Sequence, residues 1–197
     1  MGDMIERDPA TSTYNYREDT NWDDLRFPLT GQQLTTPAGR VDFDFTNVGV
    51  DFNSNALYPS DFVVIVAQMP HSKKFGTPVK PHIHWMQDEN KVPNMVLAHR
   101  WYKNGQLIPS AWKLSILESH VFSYVSGNLA QISAFPEIIP PIDESVSSIL
   151  EMKLYRDSNN SSTLFAGADP FTNGTVIKEL DLHYQIGSVG SGEEYYK

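Results

Sequence analysis

Two histidines in one short segment are the side chains of this sequence best placed to do chemistry. The run His82-Ile83-His84-Trp85 alternates polar and apolar residues, which is the period of a β-strand. Both imidazoles are therefore expected on one face of the strand. Two histidines at positions i and i+2 can bind one metal ion, and Glu89 could add an oxygen ligand. The alternative is a pleated face whose imidazoles hydrogen-bond to neighbouring side chains or to a partner chain.

The spacing around these histidines resembles the first motif of the cupin family of metal-binding β-barrels. Five residues separate Gly76 from His82, and four separate His84 from Glu89. The resemblance implies His82, His84 and Glu89 as metal ligands, with His183 as the late histidine that could complete the set. The glycine expected after the acid and the second cupin motif are both missing. A cupin-like metal-dependent enzyme is therefore kept as an alternative function, and no cofactor, metal or catalytic residue is assigned.

The composition of the 197-residue chain limits the classes of function. Its length suffices for one substantial domain with its own core. The formal net charge of −9 and the sequence pI of about 5.0 argue against nucleic-acid binding, because no cluster of basic residues is available to neutralise phosphates. The absence of cysteine excludes disulfides and thiol catalysis. No signal peptide and no membrane-spanning run are predicted, so no membrane partner is expected.

Alternation of apolar and polar residues predicts about ten β-strands and no amphipathic helix. In the clearest strand, residues 175–186, Val176 and Leu180 are expected to face inward and Asp181 and His183 outward. Such outward acids are most often the solvated side of a sheet. Short strands separated by Gly and Pro turns favour an all-β fold. The leading candidate is an antiparallel two-sheet sandwich resembling a jelly roll, with an immunoglobulin-like sandwich as the alternative.

The sandwich is predicted to occupy residues 39–187, between an extended N-terminal arm, residues 1–38, and a C-terminal tail, residues 188–197. Both ends are polar, and ordering them costs about 1–2 kcal/mol per residue in backbone entropy. We therefore expect other chains to anchor them, the alternative for the arm being an edge strand of its own sandwich. The predicted partner-binding anchors are Tyr14, Tyr16, Trp22, Leu25, Phe27, Tyr195 and Tyr196.

Five segments of the chain resemble a family of virion structural proteins of tailed bacteriophages. They are a His-x-His-Trp strand, an aromatic strand, a Leu-Tyr-Arg-Asp strand, a Leu-Asp-Leu-His-Tyr-Gln strand and a Gly-Ser-x-x-Glu-Tyr-x-Lys tail. In this sequence they are His82–Trp85, Arg100–Tyr102, Leu154–Asp157, Leu180–Gln185 and Gly190–Lys197. The likeness covers roughly residues 80–197 and does not extend to the N-terminal arm.

The resemblance implies a structural role in the virus particle without catalysis. A capsid decoration or cement protein is the leading expectation, and a neck or tail adaptor is the alternative. The implied partners are the major capsid protein and sister copies of this chain in a homo-oligomer. The implied location is the capsid surface of the virion, after assembly in the host cytoplasm. Arms at both ends of an acidic domain suit such a role. Each arm makes only modest contacts, but many symmetric copies together make the binding strong.

Overall fold

The computed structural model describes residues 5–7, 14–16, 21–29, 40–118 and 127–187. Within these residues there is no helix, and therefore none that is long and apolar enough to cross a membrane. All strand pairs are antiparallel. The described strands are β1 Ile5–Arg7, β2 Tyr14–Tyr16, β3 Trp22–Pro28, β4 Val41–Asp44, β5 Gly49–Phe52, β6 Phe62–Gln68, β7 Val79–Gln87, β8 Met95–Tyr102, β9 Lys113–Ile116, β10 Leu129–Ala134, β11 Ile149–Arg156 and β12 Thr175–Gln185.

Ten of these strands form two antiparallel sheets. The larger sheet has the order β10-β7-β12-β5-β4, and β3 also pairs with β12. The smaller sheet has the order β6-β11-β8-β9, while β1 and β2 pair with each other. The predicted all-β, two-sheet antiparallel sandwich is confirmed. Its jelly-roll connectivity stays a prediction.

One hydrophobic core lies between the two sheets, built from alternate positions of the strands. On β7 the apolar Ile83 and Trp85 point inward, and the Trp85 indole N–H donates to the Ser133 hydroxyl at 3.0 Å. The inward residues of β8 and β11 complete the layer. The alternation predicted for His82–Trp85 is therefore correct, and the two imidazoles lie on the opposite, outer face of the larger sheet.

Strand β12 contains a β-bulge at Lys178. Ile177 and Glu179 pair with consecutive residues of β7, so Lys178 between them has no partner on that strand. An extra residue of this kind reverses which positions face the core. Ile177 is therefore the core residue, whereas uninterrupted alternation predicted Val176. Beyond the bulge the prediction is correct, and Asp181 belongs to the outer face.

Strand β3 corrects the predicted domain boundary. Every residue from Trp22 to Pro28 pairs with β12, and Leu25 and Phe27 pack against the core. Residues 22–29 therefore belong to the sandwich, so the arm predicted for residues 1–38 is wrong in this part. Leu25 and Phe27 are anchors on their own domain rather than on a partner. Their alternation with charged residues is the pattern of the edge strand that was kept as the alternative.

The other predicted anchors have different outcomes. Trp22 is half-exposed, and the Lys80 ammonium lies 4.6 Å from the centre of its ring. Tyr14 and Tyr16 lie on β2, of whose side chains nothing is described. Tyr195 and Tyr196 lie outside the described residues. A partner-binding role for these tyrosines stays a prediction.

Candidate metal centre

The two histidines of β7 meet an aspartate of β12 on the outer face of the larger sheet. In the antiparallel register His82 is opposite Asp181, and His84 is opposite Glu179. Residues directly opposite on one face have their Cβ atoms about 4.5–5.5 Å apart, within reach of side-chain contact. His82, His84 and Asp181 form the one group of at least three potential metal ligands found among the described residues. We call them the outer-face triad.

The donor atoms of the outer-face triad converge on one point. The Nε2 atoms of His82 and His84 are 3.1 Å apart. The Asp181 Oδ2 atom lies 3.1 Å from the His84 nitrogen and 3.4 Å from the His82 nitrogen. Two imidazole nitrogens and one carboxylate oxygen from two strands thus form a nearly equilateral triangle.

The triad is shielded from water to different degrees. The Asp181 side chain is 4% exposed, that of His82 is 10% exposed and that of His84 is 31% exposed. Burial, helped by the neighbouring His183 and His84, lowers the pKa of His82 to about 4. Burial and then the Glu179 carboxylate raise the pKa of Asp181. His82 is therefore neutral at physiological pH, the form in which an imidazole binds a metal.

Charged neighbours surround the triad on the same face. The Arg26 guanidinium of β3 forms a 2.7 Å ion pair with Glu179, and its Nε atom is 3.8 Å from Asp181 Oδ2. The Arg26 side chain is mostly exposed and lies closer to Glu179 than to Asp181. Arg26 therefore compensates the charge of the Asp181 carboxylate only in part, at 3.8 Å and while paired more closely with Glu179.

His183 borders the triad but does not point into it. Its ring packs edge-on against that of His82 with the centroids 4.4 Å apart. Its Nε2 atom is 3.0 Å from an Asp24 oxygen on β3. The hypothesis that His183 completes a ligand set is therefore wrong for this structure, although its side chain does lie beside His82.

Glu89 lies elsewhere and has a structural role. It follows the end of β7, and its carboxylate accepts hydrogen bonds from the backbone N–H groups of Thr172 and Asn173. Lys91 also pairs with it at 3.0 Å. Glu89 thus ties the loop after β7 to the loop before β12, and its role as a third ligand in a cupin-like set is wrong.

Asp181 is the site residue that sequence reasoning did not select. Its outward orientation was predicted, but it was interpreted as part of the solvated side of a sheet. His84 and Asp181 are 97 positions apart, and local patterns do not reveal which strands become neighbours. The available signal was the Leu-Asp-Leu-His alternation, which places a carboxylate and an imidazole on one face.

An open groove of about 500 Å³ begins beside His84. It runs over the outer face between β7, β10 and β12, and apolar side chains such as Met86 and Ile132 line it together with Glu179. His84, the most exposed side chain of the triad, thus borders a cavity large enough for a small molecule or for part of another chain.

Comparisons with known proteins found no match that would indicate a function. No family model and no curated protein matches the sequence, and no solved structure matches the fold. The similarity of the five segments to phage virion proteins is therefore an argument from sequence alone.

Proposed function

We propose that this chain is a bacteriophage virion structural protein, and specifically a capsid decoration or cement protein that binds and stabilises the major capsid shell. The observation that carries the proposal is the set of five segments resembling phage virion proteins. The four described segments lie in or at the end of β7, β8, β11 and β12. These strands pair as β7 with β12 and β8 with β11. The resemblance therefore concerns the framework of both sheets, as expected when proteins share a fold.

An exposed apolar surface supports a role in binding other subunits. Leu107 is 96% exposed, and Ile142, in the loop before β11, is completely exposed. Ile108 and Ile139 are also exposed in the same two loops. Exposed apolar side chains gathered in two neighbouring loops are typical of interaction sites.

The two apolar loops are held together by polar contacts. Asp143 receives a 2.8 Å ion pair from Lys103 and a 2.7 Å hydrogen bond from the Gln106 side chain. Polar contacts thus connect the two loops while apolar side chains are exposed on both, and protein interfaces likewise combine apolar and polar groups. We call this surface, formed by residues 103–109 and 139–143, the loop patch.

The acidic balance of the chain agrees with a place on the outside of a particle. A formal net charge of −9 disfavours contact with packaged nucleic acid and keeps the free subunits soluble before assembly. Jelly-roll connectivity and a homo-oligomeric state are part of the same proposal.

The decisive measurement is the copy number of the chain in purified particles of the virus that encodes it. Quantitative mass spectrometry against the major capsid protein should find several hundred copies, as icosahedral decoration requires. About a dozen copies would instead indicate a ring in the neck or tail. The absence of the chain from purified particles would overturn the proposal.

The loop patch gives a sharper test of the capsid contact. Leu107→Asp combined with Ile142→Asp should abolish binding to particles assembled without this chain, because charges replace the apolar tips. Leu164→Asp, at another exposed leucine, is the matched control and should bind as the wild type does. Equal binding by all three proteins would exclude the loop patch as the capsid contact. Thermal melting should be the same for the three proteins, since all the altered side chains are exposed.

A further inference from the structure

We propose that His82, His84 and Asp181 bind a divalent first-row transition metal ion, with Zn²⁺ as the first candidate. The inference goes beyond the virion role and does not depend on it. It rests on three observations, namely the spacing of the donor atoms, the hydrogen-bonding capacity of the three groups and the burial of one carboxylate oxygen.

The spacing of the donor atoms matches that of ligands around one ion. Metal bonds to imidazole nitrogen and carboxylate oxygen are about 2.0–2.2 Å long, so neighbouring ligand atoms lie roughly 3–3.5 Å apart. The three observed separations of 3.1, 3.1 and 3.4 Å all fall in this range. An ion placed on the axis of this triangle would reach all three atoms without a change in the backbone.

Hydrogen bonding alone does not satisfy the three contacts. Each imidazole has either a hydrogen or a lone pair at Nε2. If both His82 and His84 carry the hydrogen, their 3.1 Å contact brings two donors together. If only one carries it, a single hydrogen must serve both the other nitrogen and the carboxylate. A cation bound to two nitrogen lone pairs and one oxygen satisfies all three groups at once.

The second oxygen of Asp181 points to the same conclusion. Asp181 Oδ1 is buried and has no hydrogen-bond partner. Leaving a buried charged oxygen without compensation is costly, and such groups in proteins are usually paired or bind metals. Arg26 compensates in part, but its closest contact is with Glu179. A divalent ion at the triad would supply the missing positive charge directly.

The donor set also selects the class of ion. Two imidazoles and one carboxylate suit Zn²⁺ and Fe²⁺, whereas Mg²⁺ and Ca²⁺ prefer oxygen ligands alone. Three protein donors leave at least one coordination position for water or for a group from another molecule. The groove beside His84 is the route by which such a group would approach.

The test is calorimetric titration of untagged, chelator-stripped full-length protein with Zn²⁺, and anaerobically with Fe²⁺. One ion per chain should bind, and Mg²⁺ and Ca²⁺ should give no saturable signal at the same concentrations. His84→Gln should weaken Zn²⁺ binding at least about tenfold, and Asp181→Asn should do the same. His183→Gln is the matched control, because it changes a histidine of the same face whose Nε2 atom contacts Asp24.

Cobalt(II) provides a readout that reports the ligands themselves. A four-coordinate site should give visible absorption bands that His84→Gln abolishes and His183→Gln preserves. Circular dichroism of the metal-free variants establishes that they are folded, and the half-exposed His84 makes its variant the safer of the two. Failure of the wild type to bind either Zn²⁺ or Fe²⁺ would overturn the proposal. So would equal loss of binding in His84→Gln and His183→Gln.

Discussion

The outer faces of the two sheets are covered by different kinds of side chain. On the smaller sheet, Tyr155 and its neighbours form a second apolar cluster, which we call the aromatic face; its members are Val96, Ala98 and Tyr155, packed by Tyr58, Phe62, Trp112 and Phe165. Cations lie over its rings, with Lys153 4.5 Å from both Phe62 and Trp112. On the larger sheet, the outer-face triad and its charged neighbours form what we call the histidine face.

The difference lies in how polar groups find partners. On the aromatic face Glu151 accepts a 2.6 Å hydrogen bond from Arg100 and a 2.7 Å hydrogen bond from Tyr102. On the histidine face three donor atoms crowd together and a buried oxygen has no partner. The Glu151 carboxylate on the aromatic face thus finds its partners within the chain, whereas the polar groups of the histidine face would be satisfied by an added ion. Groups that a fold leaves unsatisfied are where function is to be sought.

The largest expected effect is on the aromatic face. Tyr155→Ala should lower the free energy of unfolding by about 3 kcal/mol, because a large side chain that is only 5% exposed leaves a cavity. Urea denaturation measures the change. Val66→Ala, at a half-exposed position of the same sheet, should cost less than about 0.5 kcal/mol. Equal costs at the two positions would show that the aromatic face is not a second core.

Metal should stabilise the histidine face by a comparable amount. At a free Zn²⁺ concentration 100 times Kd, mass action should raise the free energy of unfolding by about 2.7 kcal/mol. Thermal melting with and without a chelator measures the gain. His84→Gln should remove it, and Tyr155→Ala should retain it although its own baseline is lower. A wild type that melts identically in Zn²⁺ and in chelator would contradict the contrast between the faces.

Acid should destabilise the smaller sheet through the partly buried His99. Burial, and secondarily Lys113, lower the pKa of His99 on β8 to about 4. The pKa of histidine in the unfolded chain is about 6.5. The folded state therefore keeps its full stability above that pH and loses stability as the pH falls toward 4, because the unfolded chain takes up the proton more readily. Urea denaturation gives the free energy of unfolding of the wild type and of His99→Gln at about pH 7 and about pH 4.5. Between these pH values the wild type should lose about 2 kcal/mol more than the variant. An unchanged loss in the variant would exclude His99 as its source.

The smallest effect should come from the cations over the aromatic face. Lys153→Met keeps the length of the side chain but removes the charge near Phe62 and Trp112. The expected loss in free energy of unfolding is less than about 1 kcal/mol, as is typical of partly exposed cation–π contacts. Denaturation in urea measures it. A loss of several kcal/mol would show that charge, rather than apolar packing, completes this face.

Local patterns predicted much of the fold, because alternation of side chains is a local property. The strand around His82 and His84, their shared face and the outward side of Asp181 all followed from the two-residue period. The same reasoning failed for Val176, since a bulge shifts the alternation without a clear local signal. It also failed to select Asp181 as the third donor, because that depends on which distant strand pairs with β7.

Nearness in sequence was misleading for two other groups. Glu89 is a candidate ligand only by its closeness to the histidines in sequence, yet the chain turns after β7 and carries it to the 172–173 loop. Leu25 and Phe27 were assigned to partners because nothing nearby in sequence could bury them. Their burial comes from β12, which lies near the other end of the chain. In both cases the deciding contact was long-range.

The pairing of β3 with β12 has a consequence for synthesis on the ribosome. Arg26 and Glu179, which pair across these strands, are 153 positions apart. At about 5–20 residues per second, β3 is made roughly 8–30 s before its partner strand. During that time its edge is open to pairing with other nascent chains. Asp23, Asp24 and Arg26 put charges along this edge, which discourages such pairing until β12 arrives.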